Sequence, residues 1–170
     1  MALTDTLSAQ IEVLVKPSIV TAEGSIDGNR VVAHKIIKTL VDGTSSGQAV
    51  GFFGSTFTAT TGGITVSLAD SADPLGSAGD DAPTSDPEGL KLRLLLVQNL
   101  DSTNYVSLKK GTNGDTNIFS GSTDSVRIDA GGFFLWSSPA GSNAMSDGVD
   151  DELLFTADTA SVSVKLTYIF

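Results

Sequence analysis

The residues with the most suggestive spacing for catalysis are a serine inside a glycine-flanked pentapeptide. Gly43-Thr44-Ser45-Ser46-Gly47 matches G-x-S-x-G, a pattern that places a nucleophilic serine between a strand and a helix and needs a histidine later in the chain. The only histidine, His34, precedes the serine, and no helical pattern follows it. The pentapeptide therefore predicts a turn. For His34, we predict a side chain that is packed or lies at a sheet edge. A small hydrolase that uses Ser45 and His34 is the least favoured class of function.

Two carboxylate clusters contain the residue type that binds calcium. They are Asp80-Asp81 and Asp150-Asp151-Glu152. Calcium takes six to eight oxygen ligands, and neither cluster has the spaced acids of an EF-hand loop, so we predict solvated turn acids and keep Asp80, Asp81, Asp150 and Asp151 as weak calcium candidates. Paired carboxylates can also hydrolyse glycosides, but one Trp and two Tyr are few aromatic residues for a sugar site. The sequence predicts no enzyme, no catalytic residue, no metal and no cofactor.

The charge and cysteine content exclude several classes of protein. The chain has 170 residues, with 20 Asp plus Glu against 10 Lys plus Arg and a net charge of −10. Nucleic-acid binding and polybasic membrane anchoring both need a basic surface, so we expect neither partner. Zero cysteines exclude disulfides, thiolate metal sites and cysteine nucleophiles. No apolar run approaches the roughly 18 residues of a transmembrane helix, and residues 1–10 lack a signal-peptide pattern.

Composition and periodicity predict strands rather than helices. Asp, Gly, Ser, Thr and Asn dominate the polar positions, and these residues favour turns and caps over helix interiors. A period of two indicates half-buried strands in four segments, and two further segments are apolar on both sides. One more segment fits a strand or a short helix, and its β-branched residues favour the strand. The segments with a period of two are 11–15, 64–68, 125–129 and 161–170. The segments that are apolar on both sides are 92–100 and 133–136, and the segment rich in β-branched residues is 31–41. Thr61-Gly62-Gly63 predicts a hairpin between 57–60 and 64–66.

These elements predict an all-β fold. We expect a single antiparallel β-sandwich, jelly-roll-like or immunoglobulin-like, over residues 11–170, with an N-terminal arm at 1–10. One long acidic loop, residues 69–89, contains five Asp, and so long a loop in a compact domain is usually functional or ordered by a neighbour. Apolar strand surface left exposed would indicate assembly. The candidate interface residues are Phe52, Phe53, Phe133, Trp136 and Phe170.

Four sequence motifs resemble small virion structural proteins of tailed bacteriophages. The motifs are Asp73-Pro74-Leu75-Gly76, then Asn99-Leu100-Asp101 with Thr103-Asn104 after the apolar run 94–98, then 130–139 (AGGFFLWSSP), and Asp158-Thr159-Ala160 before the strand 161–170. The similarity covers about residues 64–170, and the loop at 69–89 is longer than in that pattern. The resemblance implies a β-sandwich that is a component of the virus particle, and it implies no catalytic residue.

The resemblance also implies a function. We expect a non-enzymatic structural protein of a bacteriophage virion, specifically a capsid decoration or cement protein that stabilises the shell through multivalent contacts. Its partners would be the major capsid protein or other virion subunits, and it would form a homo-oligomer, assembled in the bacterial host cytoplasm. A tail, connector or head-fibre component is the alternative within the virion. A carbohydrate- or calcium-binding β-sandwich module is the alternative from another class.

Overall fold

The computed structural model describes residues 8–15, 34–70, 74–75, 83, 86–114, 118–121, 123–138, 140–146 and 148–170. These residues form strands and turns without a helix, which confirms the all-β prediction, and no described segment is a helix able to cross a membrane. The strands of the described residues are β1 (Ser8–Val15), β2 (His34–Asp42), β3 (Gln48–Ala49), β4 (Phe52–Ala59), β5 (Ile64–Ser67), β6 (Leu94–Asn99), β7 (Val106–Lys110), β8 (Ser125–Ile128), β9 (Phe133–Ser137), β10 (Glu152–Ala157) and β11 (Val162–Ile169).

Two four-stranded antiparallel sheets pack against each other as a sandwich. The β4 sheet has the strand order β4-β11-β6-β9, and the β5 sheet has the order β5-β10-β7-β8. Alternation directs every second side chain inward: alternate residues are buried from Val162 to Tyr168 in β11 and from Leu153 to Ala157 in β10. Phe57 of β4 and Phe155 of β10 meet edge to face with ring centroids 5.0 Å apart. One apolar core therefore joins the two sheets.

The turn at Thr61-Gly62-Gly63 connects the two sheets, so the predicted hairpin is wrong. The turn itself is present, because the Gly63 N–H donates to the Thr60 carbonyl at 3.0 Å and Gly63 has a φ of 84°, which favours glycine. However, β4 pairs with β11, and β5 pairs with β10. Turn chemistry specifies a chain reversal but not the partner of each strand, which depends on the apolar surface that the whole sheet buries.

A third sheet, β1-β2-β3, is formed by the N-terminal part of the described chain. β1 and β2 pair antiparallel from Ser8↔Val41 to Val15↔His34, and we call these two strands the N-terminal ribbon. Leu40 of β2 and Ala49 of β3 form a small buried cluster with Leu94 and Ile169 of the β4 sheet. The predicted boundary at residue 10 falls within β1, while residues 1–7 lie outside the described residues.

Candidate functional site

The outer side of the β4 sheet carries a group of six apolar side chains, with polar side chains such as Thr56, Gln98 and Lys165 on the same side. Register places Phe52 beside Ile169, Ile169 beside Leu94, and Leu96 beside Leu135, all on the side opposite the sandwich core. We define the apolar face as Phe52, Leu94, Leu96, Phe133, Leu135 and Ile169. Leu40 and Ala49 cover one corner of it, at Leu94 and Ile169. Leu96 and Leu135 are partly buried against this cluster, whereas Phe133 is 64% exposed and Phe52 is 46% exposed.

The outer side of the β5 sheet is polar by contrast. Its strands direct one apolar side chain outward, Leu154, which is half-buried. The other outward positions are polar or charged, and are Thr65, Ser67, Ser107, Lys109, Ser125, Arg127, Glu152 and Thr156. Arg127 lies over the Tyr105 ring at 3.9 Å and pairs with Asp129 at 2.6 Å. The outer side of the β4 sheet therefore carries more apolar side chains than the outer side of the β5 sheet.

The β4 sheet also lacks acidic residues in a strongly acidic chain. Strands β4, β6, β9 and β11 contain no Asp or Glu, and Lys165, which is exposed, is their only charged residue. The chain as a whole has a net charge of −10. Burying a carboxylate in a contact is costly unless it is paired. The apolar face can therefore be covered by another surface without burying a carboxylate of these strands.

The predicted interface residues divide between the core and the surface. Phe53 is 1% exposed and stacks on Tyr168 at a centroid distance of 5.0 Å. Phe170 is also buried in the core, and Trp136 is partly buried against it. Phe52 and Phe133 are the two exposed members of the predicted set. Consecutive residues of a strand point to opposite sides, which is why each Phe-Phe pair has one exposed ring and one ring packed on the core.

The resemblance motifs meet in a polar network centred on Asn99. Asn99 is 2% exposed, and its Nδ2 donates to the carbonyls of Asn104 at 2.8 Å and Ile128 at 3.0 Å. Its Oδ1 accepts from the Asp101 N–H at 2.9 Å. One buried amide thus ties the loop that follows β6 to the end of β8.

Asp101 and Asn104 extend this network to the other motifs. The Asp101 Oδ1 accepts the backbone N–H groups of Thr103 and Asn104, both at 2.7 Å, and these bonds lower the pKa of Asp101. The Gly131 N–H donates to the Asp101 carbonyl at 2.9 Å, and the Thr159 hydroxyl donates to the Asn104 Oδ1 at 3.0 Å. Residues of three motifs therefore hold one end of the sandwich together, a structural role.

Of the carboxylates predicted as weak calcium candidates, the structure describes Asp150 and Asp151. Asp80 and Asp81 lie outside the described residues. Asp150 has a φ of 57° in the turn before β10, and the Glu152 carboxylate accepts the backbone N–H and side-chain amide of Asn113 at 3.0 and 3.2 Å. Among the described residues, no group of three or more His, Cys, Asp or Glu side chains has an arrangement that could hold a metal ion.

Asp151 is a buried carboxyl at the junction of β5 and β10. It is 1% exposed, and the Ser67 hydroxyl donates to its Oδ2 at 2.5 Å. Its Oδ1 has no hydrogen-bond partner among the described residues, and burial raises its pKa. The Leu68 N–H donates to the Asp151 carbonyl at 2.8 Å. Asp151 therefore connects the end of β5 to the start of β10.

The structure does not bring Ser45 and His34 together. Ser45 lies in an exposed turn before β3, where its N–H donates to the Gln48 Oε1 at 2.9 Å. His34 begins β2, and Ser45 follows the end of that strand, so the extended length of β2, about 26 Å at roughly 3.3 Å per residue, separates them. The turn predicted for the G-x-S-x-G match is confirmed, and a strand follows it instead of a helix.

Arg93 is a buried cation that sequence reasoning did not single out. It is 4% exposed, and its Nη2 donates to the carbonyls of Thr44 at 2.8 Å and Ser45 at 3.2 Å. Burial lowers its pKa. It ties the turn between β2 and β3 to the start of β6. The available signal was an arginine inside the apolar run 92–97, since a charge there needs partners.

No protein-family model matches this chain, and no curated protein matches it. The structure defines the class as an all-β sandwich. The function of the chain therefore has to be inferred from its own residues.

Proposed function

We propose that this chain is a non-enzymatic structural protein of a bacteriophage virion, specifically a capsid decoration or cement protein. The observation that carries the proposal is the apolar face, in which Phe133 is 64% exposed on a sheet without carboxylates. Exposed apolar surface of this kind marks interaction sites. The polar outer surface of the β5 sheet suits exposure to solvent. A subunit of this kind can bind a larger assembly through the apolar face and expose the outer surface of its β5 sheet to solvent.

The resemblance to phage virion proteins supplies the biological setting. Its motif residues Asn99, Asp101, Asn104 and Thr159 form the hydrogen-bonded network at one end of the sandwich. These residues maintain the fold, so the resemblance supports a similar scaffold. The scaffold and the apolar face together support a protein that acts by binding other proteins and not by catalysis.

The proposed mechanism is mechanical and multivalent. Burial of one phenylalanine side chain contributes roughly 1.5–3 kcal/mol, which is weak for one contact. On a shell, many copies make this contact at once, and linked weak contacts give high avidity. A net charge of −10 is repelled by packaged genome, which favours a position on the outer surface. The major capsid protein or other virion subunits would be the partners.

The direct test is to locate the chain on particles from the strain that encodes it. An antibody raised against the purified chain is applied to gradient-purified particles, and the label is imaged by electron microscopy. We expect label distributed over the head shell. Label confined to the tail or neck would select the alternative of a tail, connector or head-fibre component. Absence of the chain from the particle fraction would overturn the virion assignment.

A matched pair of substitutions tests the role of the apolar face. Phe133→Asp and Ser125→Asp each introduce one carboxylate at the first residue of an edge strand, β9 and β8, and both positions are exposed. Phe133→Asp is expected to reduce the amount of chain on particles at least tenfold, which corresponds to about 1.4 kcal/mol. Ser125→Asp should leave it unchanged. Equal losses in the two variants would contradict a role for the apolar face.

A further inference from the structure

We infer that Asn113 is a site of spontaneous modification, at which deamidation replaces a hydrogen bond to Glu152 with a repulsion between two carboxylates. The site lies in the turn that follows β7, where Asn113 precedes Gly114 in the one Asn-Gly pair of the sequence. The reaction requires only this chain and water. The inference does not depend on the proposed function.

The first observation is that Asn113 fastens this turn to the start of β10. Its backbone N–H donates to the Glu152 Oε2 at 3.0 Å, and its Nδ2 donates to the Glu152 Oε1 at 3.2 Å. In return, the Asn113 carbonyl accepts the Asp151 N–H at 2.9 Å. Hydrogen bonds to a charged acceptor are stronger than those between neutral groups. The amide of Asn113 therefore contributes to the connection between β7 and β10 at this end of the β5 sheet.

The second observation is that the atoms that would react are neighbours in the chain and accessible to water. Deamidation begins when the backbone nitrogen of the following residue attacks the asparagine Cγ. Asn113 is exposed, and Gly114 has no side chain to hinder the attack. The Gly114 N–H donates to the Gly111 carbonyl at 3.3 Å, which is longer than a typical N–H···O bond. The attacking nitrogen is therefore only weakly held by the turn.

The reaction exchanges the amide nitrogen of the side chain for an oxygen from water. The Gly114 nitrogen loses its proton to hydroxide and forms a bond to the Asn113 Cγ. The Cγ–Nδ2 bond then breaks, and Nδ2 takes a proton from water and leaves as ammonia. Water adds to either carbonyl of the resulting succinimide ring and opens it. One opening gives aspartate, and the other gives isoaspartate, whose side-chain carbon becomes part of the backbone.

The third observation is that the product carboxylate faces another carboxylate. An ionised carboxylate accepts hydrogen bonds but has no proton to donate, so the bond from Nδ2 to the Glu152 Oε1 is lost. Like charges at this separation repel each other. Glu152 also directly follows Asp150 and Asp151, so the new charge is added to an acidic segment. Deamidation therefore weakens the contact that the amide had stabilised.

The packing of Gly114 makes isoaspartate disruptive for a second reason. Gly114 is buried, and a Cβ added to it would collide with the Glu152 carbonyl and the Lys110 Cβ. Isoaspartate lengthens the backbone immediately before this glycine and so displaces it from its close contacts. Both products therefore loosen the turn, aspartate by its charge and isoaspartate by its charge and its backbone length.

The first test follows the chemistry in the purified full chain. The chain is incubated at mildly alkaline pH, sampled over time and digested for peptide mass spectrometry. Asn104 and Asn143 are internal controls, because they precede Tyr105 and Ala144. Since only glycine lacks a side chain that hinders the attack, we expect Asn113 to deamidate at least about tenfold faster and to give both products. Conversion of Asn113 no faster than that of the controls would overturn the modification site.

The second test measures the effect of the new charge by urea unfolding, followed by Trp136 fluorescence. Asn113→Asp reproduces the charge of the product, and we expect it to lower the folding equilibrium constant at least tenfold, which corresponds to about 1.4 kcal/mol. Thr112→Asp is the matched control, because it adds the same charge at an exposed position of the same turn. Its effect should be clearly smaller. In a Glu152→Gln background, where an amide can donate to the new carboxylate, Asn113→Asp should also cost clearly less.

The outcomes decide both parts of the inference. Equal losses from Asn113→Asp in the two backgrounds would overturn the role of Glu152, and so would an equal loss in Thr112→Asp. If Asn113→Asp does not fold, the natural chain is compared before and after incubation, with the modified fraction known from mass spectrometry. The modified fraction is expected to unfold at a lower urea concentration, and identical unfolding would overturn the loosening of the turn. Particle labelling tests the proposed function independently of these results.

Discussion

Phe52 and Phe53 are adjacent in β4, yet they belong to opposite surfaces of the β4 sheet. The Phe53 ring stacks on Tyr168 in the core with a centroid distance of 5.0 Å, whereas Phe52 is 46% exposed on the apolar face. Tyr168 in turn donates its hydroxyl to the Leu68 carbonyl at 3.3 Å, and burial raises its pKa. Phe53 therefore contributes to the stability of the sandwich, whereas Phe52 belongs to its outer surface.

This pair gives a direct comparison of stability. Phe53→Ala removes a fully buried ring and leaves a cavity, so it is expected to lower the free energy of unfolding by about 3–5 kcal/mol. Phe52→Ala shortens a half-exposed ring and should cost less than about 1 kcal/mol. Urea unfolding followed by Trp136 fluorescence measures both. Equal losses would contradict the assignment of Phe52 to the outer surface.

The amide of Asn99 gives a second prediction about stability. Asn99→Ala removes the donor to the carbonyls of Asn104 and Ile128 and the acceptor of the Asp101 N–H. Leaving a buried polar group without a partner costs about 1–3 kcal/mol, so the free energy of unfolding should fall by at least that amount. Ser102→Ala, at an exposed position of the same loop, serves as the control and should be nearly neutral. An Asn99→Ala chain as stable as the natural one would show that the network contributes nothing to stability.

Asp151 gives a prediction about pH. Burial raises its pKa in the folded chain above an unfolded value of about 3.9. The folded state therefore holds this proton more tightly, and the contribution of Asp151 to stability is greatest below the unfolded pKa and declines as pH rises to the folded pKa. Asp151→Asn keeps an oxygen for Ser67 and removes the charge. Relative to the natural chain, the variant should gain stability as pH rises from 3 to 7.

The measurement is a series of urea unfolding curves of both chains at several pH values. Asp150→Asn controls for the removal of one charge from the same turn, at a position that is partly exposed. Subtracting the curves of the natural chain removes the contributions of other carboxylates, such as Asp101, whose pKa is lowered by backbone hydrogen bonds. A difference between Asp151→Asn and the natural chain that does not change with pH would show that burial does not perturb this carboxyl.

Calcium provides the fourth prediction. The described carboxylates of the Asp150-Asp151-Glu152 cluster have separate roles, since Glu152 binds Asn113 and Asp151 binds Ser67. A ligand that binds only the folded state raises the melting temperature. We therefore expect excess calcium or a chelator to shift the melting temperature by less than about 1 °C. A large rise with calcium would favour the calcium-binding module and would direct attention to Asp80 and Asp81.

Much of the fold was predictable because alternation in a strand reports which side is buried. The strands at 64–67, 125–128 and 162–169 follow such patterns, and the segment predicted at 31–41 forms β2 from His34. β10 was not predicted, because Leu154 points outward and interrupts the alternation of Leu153 and Phe155. β3 has two residues, which is too few for a periodic signal, and β7 was not predicted although Val106 and Leu108 alternate with Ser107 and Lys109.

The candidate site was only partly predictable. The sequence indicated the aromatic pairs as candidate interface residues. It does not specify which phenylalanine of a pair faces the core, so Phe52 and Phe53 were not distinguished. That distinction depends on the register with β11, in which Phe53 lies opposite Tyr168. The apolar face combines residues of four strands that are distant in sequence, and strand order cannot be deduced from local pattern alone.

The central position of β10 and β11 has a consequence for the timing of folding. β11 lies between β4 and β6, and β10 lies between β5 and β7, although both strands follow all four neighbours in the chain. During synthesis, the earlier strands therefore emerge before the strands that pair with them. Non-local pairing of this kind folds slowly and leaves strand edges open meanwhile. The sandwich can be completed only after both β10 and β11 have left the ribosome.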